Sequence, residues 1–226
     1  MKGLSNNQLK IIALVAMTID HIGAYLFPQI QWLRIVGRLA FPIFAYMIAE
    51  GCRHTRNMGR YLGTMALFAL VCQAVDYFAT GSLYMSILVT FTLSIGLIFC
   101  YKKAEKRGNP LWVALLVLGL VTVQFVCQQL PLLLQGTDFG VDYGFIGVLI
   151  PWALYLVKNK NFRLVMLAVC LAALAMDSYY IQWYALLSVP LIAFYNGQRG
   201  KRNLKWLFYI YYPLHLVAIY GVSFLL

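Results

Sequence analysis

Residues 110–134, PLWVALLVLGLVTVQFVCQQLPLLL, run for 25 positions without a charged side chain. As a helix rising about 1.5 Å per residue, this stretch covers roughly 37 Å, more than the roughly 30 Å hydrocarbon core of a bilayer. Gly108-Asn109-Pro110 punctuates its start and Gly136 follows its end, residues that break helices rather than continue them. The run predicts a membrane-spanning helix. Eight further apolar runs surround it, at 9–27, 33–52, 59–79, 83–101, 142–157, 162–177, 179–195 and 204–225. Pro28, Gly81 and Gly197 mark other breaks. The expected fold is all-α: a polytopic transmembrane helical bundle of about nine spans, forming one domain over residues 1–226. The runs at 142–157 and 162–177 are short, and seven spans result if one pair within 142–195 does not cross.

Composition leads to the same class. The chain is 62% hydrophobic and only 11% charged, whereas soluble domains are roughly half apolar and about a quarter charged. An aromatic content of 15% suits a chain whose Trp and Tyr collect at bilayer interfaces. Five cysteines, Cys52, Cys72, Cys100, Cys127 and Cys170, lie in or beside apolar runs and form no CxxC pair. They read as small apolar packers rather than as disulfides or metal ligands, and no metal is expected. Lys2 and Lys10 precede an apolar run, but no small-x-small cleavage site follows and Asp20-His21 interrupts it. That run is expected to be a retained span rather than a signal peptide.

The net charge of +11 is not spread as in a nucleic-acid interface. Its basic residues fall in short bursts between apolar runs, the pattern of cytoplasmic loops, and nucleic acid is not expected as a partner. Nine spans place Lys2, Lys10, Arg53, Arg56, Arg60, Lys102, Lys103, Lys106, Arg107, Lys158, Lys160, Arg163, Arg199, Lys201, Arg202 and Lys205 on one side. Asp76, Asp138, Asp142 and Asp177 fall on the other. The positive-inside rule makes the basic side, with the N-terminus, cytoplasmic. Two of the 18 basic residues break the pattern: Arg34 and Arg38, at the outer end of the second run.

Charged and imidazole side chains inside a bilayer are expensive and mark sites. Here they are Asp20 and His21 in the first run, Arg34 and Arg38 in the second, and His215 in the last. Arg34 and Arg38 are four apart and share a helix face. Helical rise puts Arg38 roughly 9 Å below the outer start of its span and His21 roughly 18 Å in from the cytoplasmic start of its own. His215 lies at a comparable depth, so the three are expected to converge. Asp20 and His21 point about 100° apart, so Asp20 is expected to pair with Arg34 or Arg38 across the helix interface. That leaves His21 as a general base. A bland reading exists for each: Arg34 snorkelling to headgroups, His215 a satisfied core residue. At the inner end of the second run, Glu50-Gly51-Cys52-Arg53-His54-Thr55-Arg56-Asn57 offers cations and a hydroxyl suited to phosphate, or is an ordinary basic loop. No Walker A, GxGxxG, GxSxG or HExxH motif occurs.

The blocks LKIIALVAMTIDHIGAYLFP and LRIVGRLAFPIFAYMIAEGCRHTRN, with DYGFIGVL and YIYYPLHL later in the chain, resemble the TraX family of bacterial membrane proteins over nearly the whole length. Met85-Ser86 stands where the family pattern has Asn. The resemblance implies a multi-pass protein of the bacterial inner membrane, similar to the acyltransferase-3 group. It implies an acetyl-CoA-dependent N-acetyltransferase whose acceptor is an amine such as a pilin N-terminus. Its partners would be acetyl-CoA, that acceptor and membrane lipids. The positions it carries over are Asp20, His21, Arg34, Arg38 and His215, expected for chemistry, and Glu50, Arg53, His54 and Arg56; these last four, with Thr55, are expected to bind the donor. His21 would take the amine proton, or carry the acetyl group itself, and Arg38 would stabilise the oxyanion. An O-acyltransferase on envelope glycans or lipids, and a proton- or anion-coupled transporter, are the alternatives.

Overall fold

The protein is described by a computed structural model covering residues 3–200, 204–223 and 225. Lys2, Lys201 and Arg202, three of the basic residues in the charge pattern, lie outside the described residues. Each of the nine apolar runs is helical, and among the described residues β pairing is confined to isolated bridges. Among the described residues, four helical segments are long and apolar enough to cross a membrane: Gln31–His54, Met58–Thr80, Ile87–Lys106 and Pro110–Leu133. Their exposed faces carry Leu67, Leu70, Phe78, Leu118 and Leu132, the side chains expected against lipid. The chain divides into two units, residues 1–47 with 159–226 and residues 48–158.

The first unit opens with α1 (Asn6–Tyr25). It starts earlier than the apolar run because Ser5 and Gln8 form a capping box, each side chain satisfying the other's backbone N–H. A short turn through Pro28 leads to α2 (Gln31–Gly37), and α3 (Ala40–His54) follows after a break at residues 38–39. Pro42 explains the break, since it has no N–H for the Arg38 carbonyl and its ring crowds that oxygen. Residues 33–52, expected as one span, follow one path that loosens at Arg38. Further on come α9 (Lys160–Met176), a 3-10 helix (Tyr180–Leu187), α10 (Ser188–Ala193) and α11 (Lys205–Ser223). The run at 179–195 is therefore a tight helix followed by one turn and a half of α-helix. Leu9, Ile43, Leu167, Leu171, Ala185 and Ile192 are fully buried in this unit.

The second unit contains the end of α3, then α4 (Met58–Thr80), α5 (Ile87–Arg107), α6 (Pro110–Gln124), α7 (Leu130–Leu133) and α8 (Gly144–Leu156). A π-helical turn at Phe125–Gln129 joins α6 to α7. It ends just before Pro131, a residue that cannot donate to the regular helical ladder. Leu97, Val123 and Val148 form the buried centre between α5, α6 and α8. Hydroxyls tie α5 to the α8 segment, with Thr90 donating to the Asp142 carbonyl at 2.6 Å and Ser94 to that of Val148 at 2.7 Å. All five cysteines are free.

Candidate active site

The hairpin of α1 and α2 builds the first half of the site. Arg34 on α2 and Arg38, the residue that caps its C-terminus, lie on the side that meets Asp20 of α1. Arg34 Nη1 donates to Asp20 Oδ2 at 2.7 Å, and Arg38 Nη2 donates to Oδ1 at 2.7 Å and Oδ2 at 3.0 Å. The expected pairing of Asp20 with one arginine is in fact a pairing with both. Close approach depends on Gly37, where an added Cβ would lie 2.0 Å from Asp20 Oδ1. Only glycine admits the carboxylate there. Two guanidiniums share one carboxylate, so the cluster keeps a formal excess of one positive charge. An excess cation in a low-dielectric site favours an anion, or an oxygen that becomes one.

Arg38 is held further by its Nε–H, which donates to the Arg34 carbonyl at 3.4 Å, and by Nη1, which donates to Gln182 Oε1 at 3.4 Å. Gln182 was not among the residues expected from sequence. It comes from the 3-10 helix, which Tyr180 also anchors by donating to Gln31 Oε1 at 2.9 Å. The signal for it was present: an amide within an apolar run is a polar intramembrane residue, as the arginines are.

The second half joins α1 to α11. His21 Nδ1 lies 2.7 Å from His215 Nε2, with the rings within 13° of parallel. Hydrogen-bond logic fixes the tautomers of the neutral pair. His215 Nδ1 sits 2.9 Å from the Tyr211 carbonyl, which only accepts, so Nδ1 carries the proton. His215 Nε2 is then the acceptor and His21 Nδ1–H the donor. The lone pair of the relay therefore ends on His21 Nε2. Tyr211 stacks on His215 and its hydroxyl meets Thr18 Oγ1 at 2.7 Å. Thr18 itself donates to the Leu14 carbonyl at 2.9 Å. Thr18 and Tyr211 were missed as well, although they lie three and four residues before the two histidines.

The basic turn belongs to the second unit and has a different character. Arg53 Nη2 donates to the carbonyls of Leu154 (2.9 Å), Tyr155 (2.6 Å) and Val157 (2.5 Å), closing the C-terminus of α8. Its guanidinium also lies 5.4 Å from the centre of the Tyr155 ring and 3.9 Å from the buried Glu50 carboxylate. His54 Nδ1 donates to the Glu50 carbonyl at 2.9 Å, and the Thr55 hydroxyl donates to the Asn57 carbonyl at 3.3 Å. Glu50 and Arg53 are thus committed to internal contacts, whereas His54 and Arg56 are exposed. Met85-Ser86, where the expected Asn is absent, leads into α5 with Ser86 as its N-cap: Met85 pairs with Val141, and Ser86 N–H donates to Gln73 Oε1 at 3.0 Å.

Comparison with known proteins covers almost all of this chain. The family model described as TraX protein matches residues 5–223. The probable fimbrial assembly protein FimC, serogroup H1, of Dichelobacter nodosus is 27% identical, over 94% of this chain and 93% of its own length. Protein TraX of Escherichia coli is 26% identical over 74% of this chain, a match that covers 62% of that protein. No solved structure matches. Both the resemblance carried by the DH and RIVGRLAFP blocks and the extent of the match lead to one assignment: the chain belongs to the TraX family of membrane proteins.

Proposed function

We propose that this protein is an acyltransferase of the bacterial inner membrane that moves an acetyl group from cytoplasmic acetyl-CoA to an amine acceptor, such as a pilin N-terminus. The observation that carries the reading is the relay from the Tyr211 carbonyl through His215 to a lone pair on His21 Nε2. It stands next in sequence to a carboxylate–diarginine cluster with one positive charge in excess. A base beside a fixed cation is what acyl transfer to an amine requires. The name of the Dichelobacter nodosus relative, a probable fimbrial assembly protein, supports a fimbrial-subunit acceptor. Nine crossings with a cytoplasmic N-terminus complete the proposal, because the distribution of basic residues favours that arrangement.

In the proposed reaction the acceptor nitrogen attacks the thioester carbonyl carbon. A C–N bond forms and the carbonyl electron pair moves to oxygen, where the Asp20–Arg34–Arg38 cluster stabilises the charge. His21 Nε2 takes the amine proton, and His215 with the Tyr211 carbonyl steadies the resulting imidazolium. The electron pair then returns, the C–S bond breaks, and the thiolate leaves as CoA-SH with the proton from His21. Arg56, exposed beyond α3, is the proposed contact for the donor's phosphates.

The decisive experiment incubates purified protein in lipid with labelled acetyl-CoA and candidate acceptors, beside His21→Ala. Acceptor-dependent CoA release that disappears in the variant supports the reading. Transfer at the unsubstituted rate in His21→Ala removes its core, and substrate flux in proteoliposomes without acetyl-CoA establishes a transporter instead.

A further inference from the structure

Gln182 is 5% exposed, yet its Nε2 has no hydrogen-bond partner among the described residues. Its orientation follows from its neighbour. Arg38 offers only donors, so the carbonyl oxygen of the amide must face it, and Nε2 must point away from the guanidinium. The backbone is fixed too, since Gln182 N–H donates to the Tyr179 carbonyl at 2.8 Å. A buried amide held by one end, with its donor end unsatisfied, is costly in any protein and finds no relief in hydrocarbon. Such a group calls for an explanation, and a ligand that supplies the missing acceptor is one. The eight-residue 3-10 helix that carries it is itself unusual, because runs beyond three or four residues are uncommon.

We propose that Gln182 Nε2 is the hydrogen-bond donor to the carbonyl oxygen of the acyl donor, with Arg38 holding the other end of the amide so that Nε2 stays turned toward that oxygen. The inference rests on the acyltransferase reading and adds a residue to it. A neutral donor beside an excess positive charge suits an oxygen that is neutral in the bound thioester and negative in the tetrahedral intermediate. As the amine attacks, the C=O pair moves onto that oxygen and the Nε2–H bond shortens. As the pair returns and the thiolate leaves, the bond relaxes. Arg38 both carries charge and orients the amide, which accounts for its position at the helix break.

The test uses the full chain in nanodiscs with labelled acetyl-CoA and a hydrophobic peptide bearing a free α-amine. Gln182→Glu keeps the volume and an acceptor for Arg38 but removes the donor; Gln182→Leu removes both ends. Loss of one oxyanion donor lowers kcat by about 10²–10³. The expected result is that loss in both variants, with the KM for acetyl-CoA within roughly threefold and Gln182→Glu melting as the unsubstituted protein does. A kcat within roughly threefold in either variant overturns the proposal and leaves the acyltransferase reading intact. Parallel losses of thermal stability and rate in both variants overturn it in favour of a packing role. Failure of the unsubstituted protein to transfer to any acceptor overturns the acyltransferase reading, and this inference with it.

Discussion

His21 Nδ1 and His215 Nε2 are 2.7 Å apart although 194 residues separate them in the chain. The hydrogen bond couples two helices, so on the proposed acyltransferase reading the two histidines are expected to act non-additively. His21→Ala is expected to lower transfer by about 10²–10⁴, the range for a lost general base. His215→Ala keeps the base but loses its orientation and is expected to cost less. The double variant is expected to match His21→Ala alone, which rate measurements on the three proteins check.

Asp20 holds two cations, so removing it leaves both exposed to each other. Asp20→Asn is expected to destabilise the protein by about 3 kcal/mol, the scale for breaking a buried ion pair. Arg34 is 32% exposed and Arg38 15%, so Arg34→Lys is expected to be tolerated better than Arg38→Lys, which also loses the contact to Gln182. Thermal unfolding in lipid nanodiscs ranks the three.

Gly37 admits the Asp20 carboxylate between α1 and α2. Gly37→Ala would place a Cβ 2.3 Å from the Asp20 Cβ, forcing the hairpin apart at a cost of about 1–3 kcal/mol. Transfer is expected to fall further than stability, since the arginines lose their geometry. Gly63, with nothing within 4 Å of an added Cβ, is the control: Gly63→Ala is expected to melt at or above the native temperature.

The helical segments were legible because apolar runs and their punctuation report directly on burial in lipid. Boundaries were less so. Ser5 and Gln8 lengthen α1 through a local hydrogen-bond exchange that hydropathy does not register, and Pro42 opens the helix four residues before itself. The pairing of Asp20 with α2 was legible from charge cost alone, because a membrane charge needs a partner. That one carboxylate serves both arginines depends on Gly37, which composition cannot weigh. The tie between His21 and His215 depends on long-range packing. The engagement of Arg53 was hidden for another reason: its acceptors are the backbone carbonyls of Leu154, Tyr155 and Val157, which leave no trace in side-chain identity.

Arg53 and Arg56 are three apart and carry the same charge, yet they should behave oppositely. Arg53→Ala uncaps α8, so a lowered melting temperature is expected, with Arg53→Lys restoring little because one ammonium cannot serve three carbonyls in the guanidinium's geometry. Arg56→Ala should leave the melt unchanged and weaken acetyl-CoA-dependent thermal stabilisation, the signature of lost binding to the folded state. Equal melts for the two variants would contradict the structural role of Arg53.

Asp138 lies in the loop after α7, where it accepts from the Ser82 hydroxyl at 2.5 Å and from Leu83 N–H at 2.9 Å. The Ser82 hydroxyl first, and then the Leu83 amide, hold its carboxyl below the usual carboxylate range. A folded pKa below the unfolded one means the contribution is complete above the unfolded value and disappears as pH falls through the folded value. The α4–α5 loop is therefore expected to stay closed through mild acidification and to open only once Asp138 protonates. Protection of the Leu83 amide against hydrogen exchange reads this directly. Asp138→Ala is expected to lack that protection even at neutral pH, and equal protection in the variant would show that the loop is held by Met85 and Val141 instead.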